Sequence, residues 1–182
     1  MAEIPVDLYF VLDSSKSMKS STTLLADASK DITDKIQKLT DDYRLGFGSF
    51  IEKRKIPFTK GKDSKAYAFH HIMSLTQNST EFGEKVLKLT KNLHENIDIP
   101  EAGLDAVAQA MRCPDIIGWE EDRKKIIIMM TDAEMHFAFD GILGGITDKF
   151  PMEKCNLVNN HYDSKQNDYD YPSFGQVNTW VL

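Results

Sequence analysis

Leu8-Tyr9-Phe10-Val11-Leu12 is an unbroken apolar run that stops at a carboxylate, Asp13, and continues as Ser14-Ser15-Lys16-Ser17. A strand buried on both faces of a parallel sheet reads this way, because neither face calls for a polar side chain. Downstream, Leu25, Ala28, Ile32, Ile36 and Leu39 recur at spacings of three and four, which predicts an amphipathic helix with Ser20, Ser21 and Thr22 as natural N-caps. Arg44 to Ile51 predicts a second strand, in which Gly46 and Gly48 permit close backbone approach. Lys55 to Phe58 predicts a short hairpin partner that Pro57 keeps at an edge. Phe82, Val86, Leu89 and Leu93 mark a second helix, and Leu104, Val107, Ala108 and Met111 a third. Lys125 to Met130 reads as another strand buried on both faces, ending in Thr131-Asp132. This order predicts an α/β domain with a doubly wound, mostly parallel sheet.

Both buried strands end in an aspartate. In open α/β sheets the ligand crevice lies outside the carboxyl ends of the strands, so Asp13 and Asp132 are expected at one rim. From Thr147 onward the pattern dissolves, and Asn156 to Tyr171 reads as a long loop.

A chain of 182 residues is long enough for one domain with a proper core and short for two. Its formal net charge of -6 argues against a general nucleic-acid binder, which needs a clustered basic surface. Lys53-Arg54-Lys55 reads as the solvated face of an edge strand. No apolar run approaches the length of a membrane helix, Ile126 to Met130 having strand length. Met1 to Pro5 has neither a basic nor an apolar leader region, so no secretory signal is expected there; a domain that works outside the cell would then be a piece of a longer chain. Cys113 and Cys155 are compatible with two buried thiols inside the cell or a disulfide outside it. Asn78-Ser79-Thr80 fits the N-glycosylation acceptor pattern.

Asp13-Ser14-Ser15-Lys16-Ser17 has the donors of a hard-cation site, since Mg²⁺ takes oxygen ligands and tolerates few carboxylates. Ser15 and Ser17 would supply neutral hydroxyls, leaving the ion able to attract an outside carboxylate. Taken alone, Asp and Ser after a strand are as readily turn and cap residues. Asn96-Ile97-Asp98-Ile99-Pro100-Glu101 and Thr131-Asp132 change the balance, because three acidic loops can then converge. A metal-dependent phosphohydrolase would want a second carboxylate at position 15, which is serine. His70, His71, His94, His136 and His161 lack zinc spacing and read as surface or satisfied polar residues. No phosphate-loop, dinucleotide or nucleophile-elbow motif occurs, so no enzymatic activity is expected.

Asp13 to Lys19 resembles the metal-ion-dependent adhesion site motif of integrin β subunits. Arg44 to Phe50, Ile117-Gly118-Trp119, Thr131-Asp132-Ala133, Asp140 to Ile146 and Tyr169 to Ser173 resemble further segments of that family, in its order. The likeness is strongest over residues 5–176 and takes the whole of 1–182 as one partial I-like domain. It implies a Rossmann-like von Willebrand factor A-type fold and an adhesion receptor module on the extracellular side of the plasma membrane. That module would bind an acidic matrix or cell-surface protein and pair with an integrin α subunit. It further implies that Ser15, Ser17 and Glu101 bind Mg²⁺ or Mn²⁺ directly, with Asp13 and Asp132 acting through water. Glu52, Asn96, Asp98, the carbonyl of Pro100 and Glu101 would hold a neighbouring Ca²⁺, and Cys113 would pair with Cys155.

The departures also carry expectations. Ser20 and Ser21 stand where the family has two acidic residues, so a third, regulatory cation site is expected to be weak or empty. The segment between Pro57 and Tyr67 is shorter than the family's specificity loop and lacks its cysteine pair. Ile142 replaces a basic residue that anchors the α subunit, which puts that pairing in doubt and leaves, as the alternative reading, an integrin-like fragment that has lost ligand binding or α-subunit pairing. Two further strands and their helices would follow Tyr171 to Gly175 in the family, whereas Val177 to Leu182 does not resemble its next helix; the last strands are then missing, leaving Ile126 to Met130 at an open edge and the chain marginally folded.

Overall fold

Alternation along β1 (Val6–Asp13) divides the protein into two cores. Tyr9 and Val11 cluster with Ala106 and Ala110 of α3 (Gly103–Arg112) and Ile117 of α4 (Pro114–Ile117). Leu8, Phe10 and Leu12 cluster with Leu25 of α1 (Lys19–Gln37) and with Phe82, Val86 and Leu89 of α2 (Ser79–Leu89). Helices therefore cover both faces of the sheet, the doubly wound arrangement expected, and every β1 side chain from Asp7 to Asp13 is buried. The computed structural model describes residues 4–54, 57–60, 64–138, 154–162 and 171–180, without the side chains of 29 and 30.

The strands run in the order β4-β1-β2-β3-β5, with β2 at Tyr43–Phe50, β3 at Phe69–Thr76, β4 at Lys124–Met130 and β5 at His161–Tyr162. β1 pairs in parallel with both β2 and β4, in the registers Asp13 to Phe50 and Leu12 to Met130, so the carboxyl ends of all three share one rim. β3 is antiparallel to β2, and β5 antiparallel to β3.

The neighbour of β2 is not the expected hairpin. Lys55 and Ile56 lie outside the described residues, Pro57 and Phe58 sit in a turn, and β3 takes the place beside β2. Its signal is a period of two: Phe69, His71, Met73 and Leu75 are buried, and the inward His71 disguises the apolar face. Gly46 and Gly48 are the close approach anticipated, since a Cβ on Gly46 would stand 2.8 Å from the Met73 carbonyl and one on Gly48 2.5 Å from the Phe69 ring.

β4 is the outer strand of the sheet among the described residues. It is only half-buried along its length, which corrects the reading of Lys125 to Met130 as buried on both faces. The expected caps also differ: Lys16–Met18 makes a 3₁₀ turn, α1 starts at Lys19, and Ser20, Ser21 and Thr22 fall inside the helix, Thr22 donating back to the Met18 carbonyl at 2.8 Å. Leu39 and Leu93 lie beyond the helices they were assigned to. α5 (Phe174–Thr179) forms where no family helix was expected, opened by a capping box in which Ser173 and Gln176 bond reciprocally.

At the rim opposite the carboxyl ends, Asp7 is fully buried and paired with Arg44 and Arg123, both at 2.6 Å. Arg123 continues to Asp42 at 2.7 Å, tying the amino ends of β1, β2 and β4 together.

Candidate metal centre

Asp13 closes β1 with both carboxylate oxygens engaged. Oδ1 accepts the Ser15 backbone N–H at 2.7 Å, and Oδ2 accepts the Thr131 hydroxyl at 2.8 Å from the end of β4. Burial raises its pKa, and the bonds from Ser15 and Thr131 oppose that rise. The Ser15 and Ser17 hydroxyls are 2.9 Å apart, and Ser17 Oγ donates to Asp132 Oδ1 at 3.0 Å. Asp13 and Ser15 are buried while Ser17 and Asp132 are exposed, so this cluster has a closed floor and an open outer side.

The loop between α2 and α3 is laid over the rim by backbone hydrogen bonds. Lys16 N–H donates to the His94 carbonyl at 3.1 Å, His94 N–H donates to the Ser14 carbonyl at 3.2 Å, Glu101 N–H donates to the Glu134 carbonyl at 2.9 Å, and His136 N–H donates to the Glu101 carbonyl at 3.0 Å. Glu52, two residues past β2, is fully buried, and Ala102 N–H donates to the Ile51 carbonyl at 2.8 Å. These bonds bring Glu101 to within interaction range of Asp13, Glu52 and Asp98. Asn96 reaches both Glu101 and the Asp98 carbonyl, the latter at 2.9 Å, and Pro100 is buried directly before Glu101.

Glu52 Oε2, Asp98 Oδ1 and Glu101 Oε2 are buried without a hydrogen-bond partner. Burial, reinforced by the charges of Asp13, Glu52 and Asp98, pushes Glu101 up to about 10. Burial likewise drives Glu52 up to about 8, against the lowering influence of His136 and Tyr171. Carboxylates packed this way are costly to ionise unless a cation neutralises them. Orphaned oxygens and an all-oxygen donor set with neutral hydroxyls beside it fit a hard divalent cation. Among the described residues, Glu52, Asp98 and His136 also present ligand atoms within 4.8 Å of one another.

His136, read from sequence as a surface or satisfied polar residue, is the latter, while Lys53 departs from its reading. His136 is fully buried, with Nε2 2.8 Å from Asp98 Oδ2 and 3.7 Å from Glu52 Oε2. Lys53, assigned to a solvated face, is 1% exposed and paired with the buried Asp105 at 3.1 Å. Neither has a sequence signature, since each is drawn inward by a carboxylate distant along the chain. Tyr171, part of a family segment but given no role, donates its hydroxyl to Glu52 Oε1 at 2.6 Å. Cys113 and Cys155 form a disulfide. Asn78 is exposed and caps α2 by accepting the Glu81 N–H at 3.0 Å. Ile142, with the rest of the segment around it, lies outside the described residues.

The family model described as the integrin beta chain VWA domain matches residues 1–182. The chain belongs to the integrin β family. It is 37% identical over 98% of its length to integrin beta pat-3 of Caenorhabditis elegans. It is also 37% identical over 95% of its length to integrin beta-2 of Sus scrofa, and 35% identical over 96% to integrin beta-1 of Gallus gallus. The chain spans only 23–24% of the length of these integrin β relatives. Among its described residues, no helix is long and apolar enough to cross a membrane.

Proposed function

We propose that residues 1–182 are a single, partial I-like domain of an integrin-type adhesion receptor, binding an acidic group of an extracellular protein through a divalent cation. The observation that carries this reading is the set of buried, partnerless oxygens on Glu52, Asp98 and Glu101 beside the paired hydroxyls of Ser15 and Ser17. Ser15, Ser17 and Glu101 would hold Mg²⁺ or Mn²⁺, with Asp13 and Asp132 acting through water; Glu52, Asn96, Asp98, the Pro100 carbonyl and Glu101 would hold Ca²⁺. A hard cation in a shell of largely neutral oxygens keeps positive charge, which is what attracts an outside carboxylate.

The residues divide the work. Asp13, saturated by Ser15 and Thr131, fixes the shape of the serine loop. Glu101 is shared between the clusters, so it couples them. Exposed Ser17 and Asp132 leave the approach from solvent open. Such a module would work at the cell surface, facing outward from the plasma membrane and paired with an integrin α subunit, with Ile142 weakening one contact to that subunit. A glycan on Asn78 would have to coexist with the cap this side chain makes on α2.

Calorimetric titration of Mg²⁺, Mn²⁺ and Ca²⁺ into the chain, with and without a short acidic peptide, tests the proposal. Peptide binding is expected only with the cation present. Equal peptide binding in excess chelator would overturn it.

A further inference from the structure

The inner carboxylates are each held by one oxygen and bare at the other. Glu52 Oε1 accepts from the Tyr171 hydroxyl at 2.6 Å and from the Lys53 backbone N–H, while Oε2 has no hydrogen-bond partner. Asp98 Oδ2 lies 2.8 Å from His136 Nε2, while Oδ1 has none. A carboxylate oxygen serves as acceptor, so Nε2 is taken as the donor of this pair.

The two donors support each other. The His136 and Tyr171 rings lie 4.7 Å apart between centroids, and Phe58 packs on both, at 4.9 Å from His136 and 6.0 Å from Tyr171. The Lys53 ammonium stands 4.1 Å over the Tyr171 ring while paired with Asp105. His136 and Tyr171 are fully buried, so their orientations are set by packing. Neither belongs to the ligand set proposed above.

We propose that His136 and Tyr171 are positioning residues of the second cation site, turning the free oxygens of Asp98 and Glu52 toward the ion and thereby setting its affinity. The inference rests on reading Glu52 and Asp98 as cation ligands. Carboxylate ligands whose far oxygen is held by a protein donor pay less to become ordered on binding, and loss of such partners characteristically weakens a metal site about 10–100-fold. A purely structural ring stack would lower stability on substitution and leave the affinity alone. The arrangement also ties the site to the segment that follows residue 170, since Tyr171 precedes Pro172, whose carbonyl accepts the Ala138 N–H at 3.1 Å.

The test uses the full chain, with Ca²⁺ calorimetry, Tb³⁺ luminescence excited through tyrosine, and far-ultraviolet circular dichroism as the check on folding. Tyr171→Phe keeps the ring stack and removes only the hydroxyl; it is expected to weaken Ca²⁺ about 10–100-fold. His136→Leu should do the same, and His136→Gln, which restores an N–H near Nε2, should recover most of the loss. Tb³⁺ beside Tyr171 should luminesce in the wild type and dim in Tyr171→Phe. Wild-type Ca²⁺ affinity in both Tyr171→Phe and His136→Leu, with only a lowered melting temperature, would overturn the positioning role and leave the cation site standing. A wild-type chain that takes up no Ca²⁺ would overturn the site and the positioning role together.

Discussion

Thr131 Oγ1 donates a 2.8 Å hydrogen bond to Asp13 Oδ2, joining the carboxyl ends of β4 and β1 across 118 residues of chain. With Oδ1 taken by the Ser15 N–H, Asp13 has no oxygen left without a protein donor. On the proposed reading it would act on the cation by holding the serine loop in shape and orienting water. Asp13→Ala is expected to weaken Mg²⁺ binding about 10–100-fold, the range seen when an outer partner of a metal site is lost. Thr131→Ala, which frees one oxygen and keeps the carboxylate, should weaken it less. Calorimetry on both variants reads the order, and an unchanged Mg²⁺ affinity in Asp13→Ala would remove this residue from the site.

Ser20 and Ser21 lie in the first turn of α1, which has no acidic residue and no side-chain cap. Ser20→Asp with Ser21→Asp should have two effects. Carboxylates there add the charge a third cation site lacks, so one further Ca²⁺ is expected in the titration stoichiometry. They also complement the helix dipole, by about 0.3–1 kcal/mol each without added cation. A gain in stability with no extra ion would show that the turn faces away from the rim.

The parts of the protein legible in sequence are those whose signal is local. β1 and the α1, α2 and α3 stripes follow from periodicity, and the rim follows from aspartates at strand ends. β3 was hidden because its inward positions include His71, so the alternation does not register as apolar. His136, Lys53 and Asp105 were hidden for a different reason. Each is buried because a charge distant along the chain meets it, at 2.8 Å for His136 with Asp98 and 3.1 Å for Lys53 with Asp105. No window of sequence contains both partners. The half-burial of β4 follows from its outer place in the sheet among the described residues, the open edge expected for Ile126 to Met130.

Asp7 tests whether the two rims are independent. It is fully buried between Arg44 and Arg123, and removing it leaves two half-buried guanidiniums with only their outer partners Glu120 and Asp42, so the cost is expected to be at most the roughly 3–5 kcal/mol of a broken buried pair. Asp7→Ala should lower the urea midpoint accordingly. Cation affinity at the far rim should stay at the wild-type value under conditions where the variant is folded. A selective loss of cation affinity in folded protein would mean that the strands transmit the change.

The Cys113–Cys155 bond closes a loop with a sequence separation of 42. On the chain-entropy account, a loop of that length contributes about 4 kcal/mol, a large share of the roughly 5–15 kcal/mol typical of a domain. Reduction should lower the denaturation midpoint by a matching amount, and Cys113→Ala with Cys155→Ala should reproduce it. Equal stability with and without reductant would place the loop's constraint elsewhere.

His71 gives the protein an acid sensitivity separate from the cation site. Burial, reinforced by the charge of Lys85, lowers its pKa to about 4. The Ser74 hydroxyl donates to the Ile116 carbonyl and so accepts from His71, which leaves Nδ1 to accept from the Tyr9 hydroxyl at 2.6 Å, a hydroxyl that burial keeps protonated. Nε2 then carries the proton and donates to Ser74 Oγ at 3.0 Å, which passes its own to the Ile116 carbonyl at 2.9 Å. A second proton on the ring would turn Nδ1 into a donor facing a donor. His70, beside it, is also lowered to about 4, first by burial and then by His161 and His71. Unfolded histidine titrates near about 6.5, so between there and about 4 the unfolded chain takes up protons that the folded chain refuses. Stability is therefore fully present above about 6.5, falls as the pH drops toward about 4, and stops falling below it on this account. Each such proton contributes at most about 1.4 kcal/mol per pH unit inside the window, and less for His70, whose ring is partly exposed. Urea midpoints measured from neutral pH down through this window, with chelator present to silence cation effects, should show a shallower slope in His71→Gln than in the wild type. Parallel curves for the two proteins would mean that His71 titrates as it does in the unfolded chain, and that the Tyr9 to Ile116 relay does not hold it neutral.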